Sequence, residues 1–86
     1  MQLVKHVKFR EEKFGGVLFE TQSEKVYTLN PTAAAVVREI KAGGDAVDIA
    51  NRMRNRFQDP TGKIEQEVLA LIQDLREKGL VADSAS

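Results

Sequence analysis

The chain has 86 residues and carries 13 lysines and arginines against 13 aspartates and glutamates, so its formal net charge is zero. This balance argues against a partner held by bulk electrostatics, such as DNA or an anionic membrane surface. The sequence has no cysteine, which excludes disulfides, thiol catalysis and cysteine-ligated metal sites.

Length and hydropathy predict a single small cytoplasmic domain. A chain of this size supports one modest core and leaves little material for a deep catalytic cavity. Residues 1–10 lack the apolar run of a signal peptide, and no stretch approaches the ~20 apolar residues of a membrane span.

Three short runs at the start of the chain predict an antiparallel meander. Residues 6–11 alternate, with Val7 and Phe9 on one side and charged residues on the other, as in a half-buried strand. A second strand is predicted over 16–21 and a third over 25–29, because glycine-containing or polar turns separate the runs.

Three helices are predicted after the meander. Asn30 is a favoured N-cap and Pro31 is a favoured first residue for a helix over 31–42. Apolar residues recur at helical spacing over 46–57 and again over 63–78, which predicts the second and third helices.

Short signals mark the ends of the second and third helices. Asp45 and Asp48 have the spacing of a capping box, and Asp59–Pro60 begins a turn. Gly79 ends the third helix, after which Leu80 can pack back on the last turn. Residues 82–86 are predicted to be a disordered tail.

The order of elements predicts the fold class. A three-stranded antiparallel sheet followed by three helices is an α+β domain, and its last two helices suit a winged helix-turn-helix arrangement. This single domain is predicted to span residues 1–81.

The sequence shows no pattern typical of catalysis or metal binding. His6, the sole histidine, has no visible partner triad. Glu65 and Glu67 lie two apart on a predicted helix, so their side chains diverge. Gly15 and Gly16 lack the Gly-Lys-Ser/Thr pattern of a phosphate loop. No catalytic residue, metal site or cofactor is predicted.

A basic cluster on the second helix leaves nucleic-acid binding as an alternative. Arg52, Arg54 and Arg56 are interpreted as a solvated face, or as a contact for an acidic partner protein. In a winged helix the third helix usually enters the major groove of DNA. Here residues 63–78 carry four acids against three bases, which would face phosphate repulsion.

The predicted third helix has a broad apolar face. Ile64, Val68, Leu71 and Leu75 lie on a single stripe at about 100° per residue, and Leu69 lies well off it. Ile72 lies between the stripe and Leu69, and the flank ends in a positive charge at position 76. Two interpretations stay open, a broad core face and the wall of a groove.

Four segments, in this order and spacing, carry a resemblance to a known family. They are FGGVLFET at 14–21, KVYTLNPTAAAVVREI at 25–40, GGDAVDIANRM at 43–53 and VLALIQDLREKGLV at 68–81. The sequence resembles the PqqD-like peptide chaperones, small domains also called RiPP recognition elements.

The resemblance implies peptide binding without catalysis. Such domains capture the leader of a ribosomally made precursor peptide as a strand added beside the third strand, against the last helix. They present it to a maturation enzyme, often a radical S-adenosylmethionine (radical SAM) enzyme. The residues expected to contact the peptide are Lys25, Val26, Tyr27, Thr28, Leu29, Leu69, Ile72 and Arg76. The alternatives are a winged-helix nucleic-acid-binding regulator and an inert domain that bridges two proteins.

Overall fold

The computed structural model describes residues 1–57 and 61–82, with the side chain of Phe57 left out. The described elements are strands β1 (Gln2–Leu3), β2 (Val7–Glu12), β3 (Gly15–Glu20), β4 (Lys25–Leu29) and β5 (Val81–Ala82), and helices α1 (Pro31–Ala42), α2 (Ala46–Phe57) and α3 (Lys63–Glu77). Strands β2, β3 and β4 form an antiparallel sheet in that order, which confirms the predicted α+β fold.

The predicted bounds agree closely with the structure. Those of β4, α1 and α2 coincide with the prediction, β2 and β3 are each shifted by one residue at both ends, and α3 ends one residue earlier. The predicted turn at Asp59–Pro60 and residues 83–86 of the predicted tail lie outside the described residues.

A second, two-stranded sheet joins the start of the chain to the end of the domain. Gln2 pairs with Ala82 and Leu3 with Val81. The prediction of a disordered tail from residue 82 was therefore wrong for Ala82 itself. Strands of two residues are too short to show an alternation of polar and apolar side chains, so this long-range pairing has no local signal in the sequence.

The helix-facing side of the larger sheet forms one wall of the core. Leu18 is fully buried in β3 and pairs with Phe9 on one side and Tyr27 on the other. Phe19 and Val26 pair on the opposite side of the sheet, where both are exposed. The alternation predicted for the first strand is confirmed, because Val7 and Phe9 lie against the core while Lys8 and Arg10 are exposed.

Helix α1 is the centre of the core and contacts β3, α2, β1, β4 and α3. Small and β-branched side chains let these elements approach the helix closely on several sides. Its buried residues are Ala33, Ala34, Ala35, Val36, Val37 and Ile40. Over the described residues, no helix has the length and hydropathy needed to cross a membrane.

The predicted caps fix how the helices begin. Asn30 Oδ1 accepts a hydrogen bond from the N–H of Ala33 at 2.8 Å, so α1 starts immediately after β4. The N–H of Asp48 donates to Asp45 Oδ1 at 2.9 Å, and the N–H of Asp45 donates back to Asp48 Oδ2 at 3.3 Å. This reciprocal pair confirms the capping box predicted for α2.

A left-handed glycine returns the chain to the core after α3. Gly79 has a φ of 75°, and its N–H donates to the Arg76 carbonyl at 3.0 Å. The N–H of Leu80 donates to the Leu75 carbonyl at 2.9 Å, which completes a Schellman motif. Leu80 is fully buried, as expected for the apolar contact that accompanies this motif.

The turn between β3 and β4 is organised by the carboxylate of Glu20. It accepts hydrogen bonds from the N–H groups of Gln22 and Ser23, at 2.8 and 3.0 Å, and from the Ser23 hydroxyl. The hydroxyl bond is the main reason why the pKa of Glu20 lies below its ordinary value; the two amides and nearby His6 add to this, and partial burial opposes it. The turn thereby sets where β4 begins.

Candidate functional site

An open cavity of about 500 Å³ lies between strand β4 and helix α3, and it is called the groove below. This volume falls within the range of about 300–1,000 Å³ that is typical of ligand sites. Its lining residues are Val26, Tyr27, Thr28 and Leu29 of β4; Asn30 and Ala33 at the start of α1; Leu71, Asp74, Leu75 and Lys78 at the end of α3; and Leu80.

Strand β4 is an edge strand. It pairs with β3 on one side, and no described strand pairs with its other side. Along an edge, alternate residues present unpaired N–H and C=O groups to any chain that approaches. Among the described residues, no backbone hydrogen bond other than those of the β3–β4 pairing involves β4. The strand can therefore accept a further strand by main-chain hydrogen bonding.

The floor of the groove is apolar and belongs to the core. Leu29, Leu75 and Leu80 are buried, while Tyr27 and Leu71 are half-buried at the sides. Buried residues hold the floor in a fixed shape, and half-buried residues leave apolar surface for a guest to cover. The groove can thus bind an apolar side chain.

One rim of the groove carries an ion pair. Lys78 Nζ lies 2.6 Å from both carboxylate oxygens of Asp74, one helical turn earlier on α3. Both side chains are exposed, so the pair adds at most about 1 kcal/mol to stability. Its charges are available to a polar or charged guest at small cost to the fold.

A second hollow of about 300 Å³ continues the groove past the start of α1. It shares Asn30, Ala33 and Leu71 with the groove and adds Thr32 and Glu67 to the lining. A guest that follows β4 towards α1 therefore meets the carboxylate of Glu67 at this end.

The strand residues named from the sequence lie together at the groove. Val26, Tyr27, Thr28 and Leu29 all line it. Lys25 begins the same strand and is exposed, but it is not among the lining residues.

The helix residues named from the sequence lie elsewhere. Leu69 is 40% exposed and Ile72 only 1%, and neither these two nor Arg76 lines the groove. Ile72 is part of the core, so its side chain is not accessible to a guest. The helical wall of the groove is formed by Leu71, together with Asp74, Leu75 and Lys78, and peptide contacts at Leu69 and Arg76 stay a prediction.

The difference between the expected helical wall and the lining of the groove has a geometric cause. Leu71 was predicted as part of the core stripe, but it is only half-buried and lies at the edge of the stripe, on the side away from Leu69. Periodicity identifies the stripe but not the flank that faces β4, which depends on how α3 packs. A usable signal was that Leu71, Asp74 and Lys78 all lie on one side of the stripe.

The arginines of α2 are engaged within the chain. Arg52 Nε donates to Glu39 Oε1 at 2.6 Å, and another nitrogen of Arg52 donates to the carbonyls of Glu39 and Gly43 at 3.0 and 2.6 Å. Arg56 also reaches Glu39, at 3.5 Å, and Arg54 lies 3.6 Å from Glu65. The cluster thus joins α2 to α1 and α3, a role that the interpretation as a solvated face did not anticipate.

The described residues contain no cluster of three or more His, Asp or Glu residues arranged to hold a metal ion. His6 lies 3.4 Å from Glu20, at the turn that precedes β4.

Comparison with known proteins assigns the family. The model of the family described as "Coenzyme PQQ synthesis protein D (PqqD)" matches residues 15–81, most of the chain. The chain belongs to the PqqD family. No curated protein matches this PqqD-family chain significantly.

Two solved structures share the fold of this PqqD-family chain. "Lasso peptide synthetase B1 complexed with the leader peptide" is 24% identical, with a TM-score of 0.79, and the match covers 95% of this chain and 96% of that one. "TbiB1 in Complex with the TbiA(beta) Leader Peptide" is 15% identical, with a TM-score of 0.83, and the match covers 100% of both chains.

Proposed function

We propose that this PqqD-family protein binds the leader segment of a ribosomally synthesised precursor peptide and presents it to a maturation enzyme. The observation that carries the proposal is the unpaired edge of β4 lying beside an apolar groove. The two solved structures of the same fold are each a complex with a leader peptide, which supports the proposal.

In the proposed complex, the leader adds a fourth strand to the sheet at β4. Each main-chain hydrogen bond contributes about 0.5–1.5 kcal/mol. Burial of a leucine-sized side chain in the groove contributes about 1.5–3 kcal/mol. Association itself costs about 4–15 kcal/mol in lost translational and rotational freedom. The main-chain hydrogen bonds alone do not offset this cost well, so burial of a side chain in the groove is needed for useful affinity. Main-chain pairing is independent of side chains, and the groove over Leu29, Leu75 and Leu80 therefore selects the sequence.

The protein itself is proposed to be non-catalytic and to need no cofactor. It holds the leader peptide in place, and the maturation enzyme carries out the chemical modification. A radical SAM enzyme is the class that the family resemblance favours. The proposed compartment is the cytoplasm, where precursor peptides are translated.

The test uses synthetic, fluorescently labelled peptides that span the N-terminal part of each short reading frame encoded beside this gene. At least one peptide is expected to bind the wild-type protein in an anisotropy titration. Leu71→Gln removes apolar surface from the groove and is expected to weaken binding about tenfold or more, since truncating a central contact commonly costs above 1 kcal/mol.

Leu69→Gln is the matched control, because it makes the same change on the same helix outside the groove. It should leave the affinity unchanged, and melting curves of both variants separate binding effects from unfolding. Binding that depends on Leu69 but not on Leu71 would place the site on the other flank of α3. If no peptide from the neighbouring frames binds, the proposed function is wrong.

A further inference from the structure

A second cavity, of about 390 Å³, lies at the other edge of the three-stranded sheet. It is lined by β1, the segment between β1 and β2, the first half of β2 and the end of α1. Three of its lining residues are Lys5, Lys8 and Lys41, and it is called the basic pocket below.

Among the described residues that line the basic pocket, three are lysines and none is an acid. Within residues 1–57 and 61–82, none of the three lies within ion-pair distance of a carboxylate, whereas five arginines do. The chain as a whole is neutral, so this is a local concentration of uncompensated positive charge. Such a concentration attracts an anionic group.

The floor of the basic pocket is apolar. Val7 is buried there, and Leu3, Val4 and Phe9 are half-buried against the core. Lys41 Nζ lies 5.8 Å from the centroid of the Phe9 ring, which holds one ammonium group over the floor. A ligand that fits this pocket therefore combines an apolar group with negative charge around it.

We propose that the basic pocket binds an acidic segment of a partner protein, with one apolar or aromatic side chain on the floor and carboxylates at the three lysines. A small inorganic anion would leave the apolar floor unused. The described lining of the pocket has a single aromatic ring, which is too little to stack a run of bases. The charge pattern thus favours an acidic peptide segment.

Sheet order lets the two sites work together. The basic pocket lies at the β2 edge, the groove lies at the β4 edge, and β3 separates them. A leader peptide on β4 and a partner at β2 would therefore not compete for the same surface. The assignment of the partner as the enzyme that receives the leader rests on the proposed function, whereas the chemistry of the basic pocket does not.

The test is a titration of the full chain, labelled with ¹⁵N, with the capped peptide Asp-Glu-Phe-Glu-Asp. Amide shifts are expected to move and saturate over residues 3–9 and at Lys41, and not at Tyr27 or Leu71 in the groove. The neutral analogue Asn-Gln-Phe-Gln-Asn should bind about tenfold more weakly or worse, because loss of the carboxylates removes the attraction to the lysines.

The variant Lys5→Gln/Lys41→Gln should weaken binding of the acidic peptide about tenfold or more, which corresponds to about 1.4 kcal/mol. Lys13→Gln/Lys63→Gln removes the same charge away from the basic pocket and should leave binding unchanged. Equal binding of the neutral peptide, equal shifts with inorganic phosphate alone, or no shift at all would overturn the proposal. Leader binding at the groove is measured separately, so each proposal can fail without the other.

Discussion

Gly15 and Gly16 let strand β3 pass very close to its neighbours. A Cβ atom on Gly15 would lie 2.1 Å from the carbonyl oxygen of Leu29 and 2.5 Å from the carbonyl carbon of Asn30. A Cβ atom on Gly16 would lie 2.8 Å from the ring of Phe9. Gly15 also has a φ of 139°, which L side chains rarely adopt. Gly15 therefore helps to set where β4 ends and α1 begins, and Gly16 leaves room for the Phe9 ring of β2.

Gly15→Ala is expected to destabilise the protein more than Gly43→Ala. Gly43 has a φ of 105°, but a Cβ atom there would point into open space with no neighbour within 4 Å, so its substitution adds backbone strain alone, of about 1–3 kcal/mol. Gly15→Ala adds similar backbone strain and, in addition, a clash between the new Cβ atom and the rigid backbone of Leu29 and Asn30. Urea unfolding measures how much each substitution lowers the free energy of unfolding. Equal decreases would show that the close approach of β3 to Leu29 and Asn30 adds nothing to the effect of Gly15→Ala.

At the scale of elements, the signals at the ends of the strands and helices were local and could be read from the sequence. Asn30 and Pro31 predicted an abrupt passage from strand to helix, and Gly79 predicted the end of α3. The wall of the groove was not predictable in this way. Periodicity placed Leu71 in the core stripe and Leu69 beside it, and tertiary packing decides which side of the stripe faces β4. The pairing of β1 with β5 was missed for a related reason, since it joins distant parts of the chain.

A proline scan of β4 tests whether this strand is a docking edge or only part of the sheet. N–H groups along the strand alternate between β3 and the outer edge, so Val26 and Thr28 share one orientation and Tyr27 has the other. Proline at an outward position should keep the fold and remove one bond to the leader, for a loss of up to about tenfold in affinity. Proline at an inward position should unfold the sheet.

Alanine at the same three positions controls for loss of the side chain, and circular dichroism reports which variants are folded. Folded non-binders and unfolded variants should alternate along the strand. Folded proline variants that all bind the leader as well as their alanine counterparts do would mean that β4 has no role in main-chain recognition.

At the scale of the whole molecule, the fold places two chemically different surfaces at opposite edges of one sheet. The β4 edge has an apolar groove with a balanced ion pair, and the β2 edge has an apolar floor with lysines that no described carboxylate pairs. The arginines of α2 are paired with acids of α1 and α3, so they stabilise the domain between these edges. A zero net charge therefore conceals an uneven distribution of charge.

Amide hydrogen exchange along β4, with and without bound leader peptide, tests the central proposal most directly. In the free protein, alternate amides from Lys25 to Leu29 should exchange fast, because they have no partner at the outer edge. Bound leader should slow these alternate amides specifically and leave those of Val7–Glu12 unchanged. Leader binding with no change in exchange along β4, or with protection only at the β2 edge, would contradict strand addition at this site.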